Sequence, residues 1–520
     1  MQGGRGQSAR MCGRGRAWTA GWSITDWFEC RWSAMTASKT GPDELSPVDY
    51  LLHRGDANPR TRSGIMALEV FDTALDWDEF RARFESASRK ILRLRQKVVA
   101  PTLPTAAPRW VVDPDFNLDF HVRRVRVPEP GTVRQVFDMA EVILQSPMDI
   151  TRPLWSATLV DGLAGGRSAA LLHLSHAVTD GVGATQIFVE FYDFERHPAP
   201  KPFVPQPIPE DLTPNELMRE GLSGLPVALA KGVLGALAGA ASAAGRAVLE
   251  PTEMVAGLWS YASSSRRVIN RAAEPSPLLR RRSLSSRTEA IEMPLADLHR
   301  AAKAGGGSIN DAYLASLCAA LRRYHAALGM PVDALPMAVP VNLRSSSDAE
   351  GGNHFTGVNL AAPIGIVDPR ARIAAIRKQM AERRAEPAMN IVGAVAPVLS
   401  ILPSAILESV SGSVVGADVQ ASNVPIYPGD IYLAGAKMLR QYGIGPLPGV
   451  AMMVVLISCS GWCTITVRYD RASVTEEALF ARCLLEGFDE VLALAGDPVP
   501  RATAASFDAG QEHFESEADS

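Results

Sequence analysis

A histidine stands near the end of an apolar run in the stretch "LLHLSHAVTDG". Imidazole titrates close to neutral pH, so His176 could remove a proton from an alcohol and later return it to a leaving group. Asp180 could orient the loop through an ion pair, and Gly181 would allow a tight backbone turn. Residue types alone leave a second interpretation open, a structural histidine at the end of a buried strand, which is the commoner case.

Metal chemistry is the other option for this stretch, because His173 lies three residues before His176. Zinc sites use at least three protein ligands, and the sequence offers no evident third one, so we expect no metal. The cysteines are scattered, with no paired motif: Cys12, Cys30, Cys318, Cys459, Cys463 and Cys483. Their spacing indicates neither a zinc site nor a disulfide framework, which favours a reducing compartment.

Composition is typical of a globular protein and gives no sign of a nucleic-acid partner. Hydrophobic residues make up 47% and charged residues 21%, and the net charge is -4. A chain without a basic excess has no electrostatic footprint for nucleic acid. At 520 residues the chain exceeds what one core usually holds, so two domains or two fused halves are expected.

Strands and helices alternate around the histidine. "GIMALEVFD" predicts a strand, and the segment after it predicts a helix, with Phe80, Phe84 and Ile91 near helical spacing. "SAALLHLSH" predicts a buried strand, which places His176 at a strand exit, where a scaffold can present a side chain to a pocket. "GATQIFVEFYDF" then predicts another helix. The alternation indicates an α/β or α+β fold.

Shifts in composition divide the chain into segments. The Arg- and Gly-rich start predicts disorder, with Met35 as an alternative start of translation, and a proline-rich stretch after residue 198 marks a boundary. We expect a disordered N-terminal extension 1–44, a first half 45–205, a linker 206–287, a second half 288–500 and a disordered acidic tail 501–520.

The linker contains an apolar Ala/Gly-rich helix, Gly221 to Leu249. Lys231 interrupts it, and the uncharged run that follows, Gly232 to Gly245, is shorter than the roughly 20 residues of a membrane-spanning helix. Two interpretations stay open: a packed surface helix, or a peripheral contact with a membrane or lipid droplet.

The pattern HxxxDG at His176–Gly181 resembles the HHxxxDG motif of the CoA-dependent acyltransferase and condensation-domain superfamily. The chain as a whole resembles the bacterial wax ester synthase/diacylglycerol acyltransferase family, over about residues 45–500. Further stretches occur in the family's order: "ELSPVDYLL", "RPLW", "SINDAYLA", "VPVNLR", "GNHFTGVNL" and "ASNVP". Each motif is short, but the ordered set is specific.

The resemblance implies transfer of a fatty acyl group from acyl-CoA to diacylglycerol, with long-chain fatty alcohols as a further acceptor. His176 would be the general base, with no acyl-enzyme. Acyl-CoA would be a substrate, and no cofactor is expected. Asp180 would be structural, paired with Arg344, and Gly181 would support the turn.

The remaining motif residues are expected to support the site or contact substrate. They are Pro153, Leu154 and Trp155 on the acceptor side, Asn310 and Asp311 at the tunnel, and Ser422 and Asn423 on the loop that bridges the halves. Core packing is the alternative for Trp155. A helix cap is the alternative for Asp311, because Ser308 is a good N-cap.

One position departs from the family pattern, because Ser175 stands where the first motif histidine is expected. The base corresponds to the second histidine, His176, which is present. We therefore expect the change to affect rate or substrate preference more than activity itself. His173 cannot replace the missing imidazole, because it lies one full pleat away along the strand.

The fold implied by the resemblance is two chloramphenicol-acetyltransferase-like halves around a central tunnel, entered by acyl-CoA from one face and by the acceptor from the other. The basic run 278–287 would meet the CoA phosphates or be solvated. We expect a cytoplasmic protein, with peripheral contact at the inner face of the plasma membrane or at lipid droplets. Two alternatives stay open: a carrier-linked acyltransferase, and a catalytically silent lipid-binding paralogue.

Overall fold

The computed structural model describes residues 43–103, 105–178, 190–199, 201, 203–223, 272–342, 355–384 and 416–506. Within these ranges the chain forms two mixed β-sheets and one two-stranded hairpin, with helices packed against the sheets. The mixed α/β class predicted from the alternation of strands and helices is confirmed.

The first sheet has six strands. They are β1 (Ile65–Phe71), β4 (Val122–Arg126), β5 (Trp155–Asp161), β6 (Ser168–Leu174), β11 (Tyr432–Leu433) and β12 (Ala436–Ile444). Their spatial order is β11-β12-β1-β6-β5-β4. Strand β6 lies between β1 and β5 and is antiparallel to both. The separate hairpin pairs β2 (Gln96–Val99) with β3 (Arg109–Val112).

The second sheet has seven strands. They are β7 (Ser286–Pro294), β8 (Leu335–Asn342), β9 (Phe355–Ala362), β10 (Val419–Pro425), β13 (Met452–Cys459), β14 (Trp462–Asp470) and β15 (Thr503–Ala504). Their spatial order is β15-β7-β14-β13-β10-β8-β9. Strand β10 runs parallel to β13 and to β8, whereas the other neighbours are antiparallel.

Several helices begin at a capping side chain. The helices are α1 (Pro47–Gly55), α2 (Trp77–Lys90), α3 (Leu118–His121), α4 (Val133–Gln145), α5 (Leu295–Ala304), α6 (Ile309–Ala327), α7 (Pro369–Arg384) and α8 (Glu477–Leu492). Of these eight helices, α1 to α4 and α6 begin at a capping side chain. Residues 214–223 are also helical. Thr132 caps α4 in a box with Gln135, which satisfies backbone N–H groups that a helix start would otherwise leave unpaired.

Two central strands are buried on both faces, which explains their continuous apolar sequences. On β6, Leu171 packs with the core under α4, while Leu172 faces a second core that includes α2. On β13, Val454 joins the core of the second sheet and its helices, while Val455 joins the same core as Leu172. One apolar cluster, which we call the shared core, is therefore built from both sheets.

Strand β12 crosses from the second part of the chain into the first sheet. Its residues fall within the segment expected to form the second half, 288–500, yet it pairs antiparallel with β1, with Leu68 opposite Tyr442. The two sheets therefore do not follow the two halves of the sequence at this strand.

The segment expected to be a disordered tail is ordered at its start. Strand β15 pairs with β7 in the second sheet, and Ser506 is fully buried. The Ser506 hydroxyl donates to Glu289 and accepts the backbone N–H of Ala290. The prediction of disorder from residue 501 onward is wrong for residues 501–506, because these hydrogen bonds anchor a polar segment to a sheet edge.

Candidate active site

The predicted base lies directly after the end of a central strand. The ladder around β6 ends where the N–H of Ser175 donates to the carbonyl of Leu154 at 3.0 Å. The N–H of Val178 then donates to the carbonyl of Ser175, also at 3.0 Å. This bond between residues i and i+3 closes a β-turn, and half-buried His176 is the first central residue of that turn. The predicted strand exit is confirmed.

The turn sits against the shared core. Val178 is one of the buried residues of that cluster, and Leu174 packs against it from the last position of β6. Met453 and Val455 of the second sheet belong to the same cluster. His176 is thus flanked on both sides by residues that reach the place where the two sheets meet.

Ser175 is fully buried and fixes the turn from its first position. Its hydroxyl donates to Oδ2 of Asp56 and accepts the backbone N–H of Ala177 at 3.1 Å. The residues before and after His176 are therefore tied to the same hydroxyl, and through it to a buried carboxylate.

Asp56 is a site residue that sequence reasoning missed. It directly follows α1 and is buried. Its Oδ1 accepts hydrogen bonds of 2.8 Å from both the backbone N–H and the hydroxyl of Ser63. An aspartate in the polar stretch "HRGDANPRTRS" carries no local signal of this role, because its partner Ser175 is more than a hundred residues away in the chain.

His173 is held in the fold as a neutral, buried side chain. It lies on β6 opposite Met66 of β1 and Ser156 of β5. Burial, together with the charges of Arg468 and Arg62, lowers its pKa to about 3. Its contacts belong to the sheet interior, on the opposite face from the shared core, since its neighbour Leu172 faces that core.

Pro153, Leu154 and Trp155 are all buried. The indole N–H of Trp155 donates to the carbonyl of Leu94 at 2.7 Å, and its ring stacks on His121 with 4.7 Å between centroids. These are the contacts of a packed core residue, the alternative that the sequence left open for Trp155. Leu154 is linked to the site by its carbonyl, which receives the N–H of Ser175.

Asn310 and Asp311 lie in the first turn of α6. The carboxylate of Asp311 accepts the N–H of Ser308 at 2.9 Å and its hydroxyl at 2.8 Å. The Ser308 hydroxyl in turn accepts the N–H of Asp311, which completes a capping box. The contacts of Asp311 therefore support the helix-cap interpretation.

Ser422 and Asn423 were expected on a loop between the halves, and this expectation is wrong. Both lie within β10 and pair with Val455 and Leu456 of β13. Backbone pairing with the parallel strand β13 continues along β10 as far as Pro425, which is why the polar residues do not form a loop. Val424 of the same strand and Ile426, just beyond its end, pack against the shared core.

Three further predicted residues lie outside the described part of the chain: Asp180, Gly181 and Arg344. The ion pair proposed between Asp180 and Arg344 therefore stays a prediction. Among the described residues, no group of three or more His, Cys, Asp or Glu side chains could hold a metal ion.

Two arginines of the basic run, Arg280 and Arg282, line a cavity of about 250 Å³. Glu274 and Asp418 line the same cavity, so its charge is mixed. Arg282 also donates to the backbone carbonyls of Leu279 and Arg281. Both interpretations of this run, phosphate binding and solvation, stay predictions.

A buried acid on β1 is a second feature that the sequence did not reveal. Glu69 is fully buried, and its carboxyl accepts hydrogen bonds from Tyr192 and from Gln441, the latter at 2.9 Å. Burial raises the pKa of Glu69 to about 8, although both hydrogen bonds oppose the shift. Within the first sheet, this side chain links β1 to the crossover strand β12, on which Gln441 lies.

Two sheets joined by a crossover strand, with a histidine turn at the end of a central strand, define a two-part acyltransferase fold. The model of the wax ester synthase/diacylglycerol acyltransferase catalytic domain matches residues 36–313. The model of the family's C-terminal domain matches residues 351–491. The chain belongs to the wax ester synthase/diacylglycerol acyltransferase family and is an acyltransferase, as the resemblance implied.

Two curated relatives from Mycobacterium tuberculosis match most of the chain. The "Putative diacyglycerol O-acyltransferase Rv2484c" of strain H37Rv is 72% identical over 466 residues, which cover 90% of this chain and 95% of that protein. The "Putative diacyglycerol O-acyltransferase Rv3087" of the same strain is 30% identical over 71% of this chain and 77% of that protein.

Solved structures share the fold. The wax ester synthase/diacylglycerol acyltransferase from Marinobacter aquaeolei VT8 superposes with a TM-score of 0.59 at 19% identity, covering 87% of this chain and all of that one. The first condensation domain of the CDA synthetase gives a TM-score of 0.51 at 15% identity, covering 90% and 99%. These likenesses confirm two chloramphenicol-acetyltransferase-like halves; the central tunnel stays a prediction.

Proposed function

We propose that the protein transfers a fatty acyl group from acyl-CoA to diacylglycerol, with His176 as the general base, and that long-chain fatty alcohols are a further acceptor. The observation that carries the proposal is the position of His176 on a fixed turn whose flanking residues, Leu174 and Val178, reach the shared core. An apolar region built from both sheets suits two lipid substrates. The printed names of the relatives support the same reaction.

The imidazole of His176 removes the hydroxyl proton of the acceptor as its oxygen attacks the thioester carbonyl carbon. The tetrahedral intermediate then collapses, the carbon–sulfur bond breaks, and the departing CoA sulfur takes the proton from the imidazolium. Base assistance of this kind contributes roughly 10²–10⁴-fold to the rate. Holding both lipids at one imidazole contributes more, since positioning is worth about 7–11 kcal/mol.

Direct transfer, without an acyl-enzyme, is supported by the state of the cysteines. The four cysteines of the described residues are all buried. Burial raises the pKa of Cys318, Cys459 and Cys463 to about 12 and also raises that of Cys483. A thiol must ionise to act as a nucleophile, so these side chains are poor candidates for carrying an acyl group.

The lipid substrates imply a site close to a lipid surface. No helix among the described residues is long and apolar enough to cross a membrane. We propose that the protein is cytoplasmic and contacts the inner face of the plasma membrane or lipid droplets peripherally, and that it needs no cofactor. The Ala/Gly-rich segment offered for such a contact, Gly221 to Leu249, lies largely outside the described residues.

The test is release of free CoA by the purified full chain with palmitoyl-CoA, using diacylglycerol and hexadecanol side by side. We expect turnover with diacylglycerol, and a loss of about 10²–10⁴-fold in kcat for His176→Ala. The exposed His299 on α5 provides a matched control, because His299→Ala removes an imidazole from a helix that packs on a different core from the turn.

Three outcomes would overturn the proposal. Wild-type turnover by His176→Ala would show that His176 is not the general base. Lipid binding without any CoA release would indicate a catalytically silent paralogue. Activity only with an acyl group on a carrier protein would indicate a carrier-linked acyltransferase.

A further inference from the structure

We infer that Ser175 and Asp56 form a positioning pair that holds the turn of His176 in its reactive geometry. The inference rests on the proposed function, since it assigns a role to residues that act through His176. Ser175 stands at the first position of the histidine motif, so the pair gives that position a defined partner in this chain.

The first step of the argument is the geometry of the turn. The Ser175 hydroxyl accepts the N–H of Ala177, and the Ser175 carbonyl accepts the N–H of Val178. The peptide groups on both sides of His176 are therefore held by one residue. The backbone can move the imidazole only if these bonds break or if Ser175 itself moves.

The second step is the anchoring of Ser175. Its N–H is held by the carbonyl of Leu154, and its hydroxyl proton is directed to Asp56 because the hydroxyl is already an acceptor from Ala177. A hydroxyl has one proton to donate and can accept on its lone pairs. The hydroxyl thus uses its proton and one acceptor position, and these two bonds fix the orientation of the Ser175 side chain.

The third step is the anchoring of Asp56. Oδ1 receives two bonds from Ser63 and Oδ2 receives the bond from Ser175. Three donors suit a carboxylate that acts only as an acceptor, and bonds to a charged acceptor are stronger than neutral ones. Asp56 also ends α1, where its N–H donates to the carbonyls of Leu52 and His53. The turn is therefore tied to the end of the first helix.

The energetic consequence is a turn that resists displacement. Removing the Ser175 hydroxyl would leave an oxygen of Asp56 and the N–H of Ala177 without their partner inside the protein, which is costly for buried groups. The turn would shift to recover hydrogen bonds, and His176 would shift with it. Displacement of a catalytic group by about 1 Å can cost about 10²-fold in rate.

The experiment compares Ser175→Ala and Asp56→Asn with wild type in the CoA-release assay. For Ser175→Ala we expect kcat to fall by about 10- to 100-fold, with little change in KM for palmitoyl-CoA, because the pair does not contact substrate. Asp56→Asn should lower kcat by a smaller factor, since the amide keeps one acceptor oxygen and can still accept the hydrogen bond from Ser175. The kcat of the double variant should be no lower than that of Ser175→Ala, because the two residues act through one hydrogen bond.

The matched control is Ser168→Ala at the other end of β6. Ser168 is also fully buried, and its hydroxyl donates to the carbonyl of Thr73 at 2.8 Å and accepts the N–H of Leu75. This variant should lower the melting temperature with kcat near wild type. Assays are run at a temperature at which thermal unfolding shows that each variant is folded. If Ser175→Ala does not fold, the kcat of Asp56→Asn tests the inference.

A folded Ser175→Ala or Asp56→Asn variant with wild-type kcat and only a lowered melting temperature would overturn the inference, because the pair would then be structural alone. Wild-type activity of His176→Gln would instead overturn the proposed function. The two failures are therefore distinguishable in the same assay.

Discussion

The guanidinium of Arg440, on the crossover strand β12 of the first sheet, donates a 2.8 Å hydrogen bond to the carboxylate of Glu292 on β7 of the second sheet. Both side chains are buried. The same oxygen of Glu292 accepts the hydroxyl of Tyr442 at 3.0 Å, and the guanidinium lies over the ring of Trp462. A buried ion pair therefore joins the two sheets.

Breaking this pair should destabilise the whole protein. Arg440→Met would leave the buried carboxylate of Glu292 without its cation, a change that typically costs about 3–5 kcal/mol. Urea unfolding measures the loss. Adding Glu292→Gln should recover part of it, because the amide is neutral and still accepts from Tyr442. The exposed pair Arg124–Asp161 is the control, and Arg124→Met should cost about 0–1 kcal/mol. Equal losses for the two arginine variants would contradict this account.

Gly64 is required because the ring of His173 occupies the space beside it. A β-carbon at Gly64 would lie 2.6 Å from Nε2 of His173, and the buried ring has little room to move. Gly64→Ala should therefore lower the free energy of unfolding by about 1–3 kcal/mol, the usual cost of overpacking. In a thermal melt, the double variant Gly64→Ala/His173→Ala should show a smaller loss of stability than the sum of the losses of the two single variants. Strict additivity would show that the ring is not the obstacle.

Stability should fall as pH rises through the range set by Glu69. Burial raises the pKa of this carboxyl from 4.5 to about 8, so the folded state holds a proton that the unfolded state releases above its ordinary pKa. The unfolded chain then binds fewer protons, and the free energy of unfolding decreases between about pH 4.5 and 8. Glu69→Gln should flatten this decrease in denaturant unfolding measured across the range. An unchanged slope would show that Glu69 is ionised in the fold.

Asp311 should contribute to stability rather than to turnover. Its carboxylate completes the capping box of α6 with Ser308, and loss of such a cap costs about 0.5–2 kcal/mol. Asp311→Ala should lower the melting temperature while the activity per folded molecule stays near wild type. A loss of kcat in fully folded protein would instead favour the tunnel role that the family resemblance suggested.

Much of the fold could be predicted where one segment carries its own signal. The apolar run before His176 predicted β6, and the Ser308 cap predicted the start of α6. The errors fall where distant segments decide the outcome. Ser422 and Asn423 are polar residues typical of a loop, yet they are part of β10 because their backbone pairs with the parallel strand β13. The polar residues near Ser506 are ordered because β7 offers them an edge.

The sequence by itself determined the family, the mixed fold and the histidine that the proposed chemistry needs, because short motifs and local periodicity are written in neighbouring residues. Only the tertiary structure decided that Asp56 meets Ser175, that β12 completes the first sheet, and that burial raises the pKa of Glu69. Each of these depends on burial and on contacts between residues far apart in the chain. The hydrogen bonds between these residues and the desolvation of their side chains arise only when the folded chain packs them together.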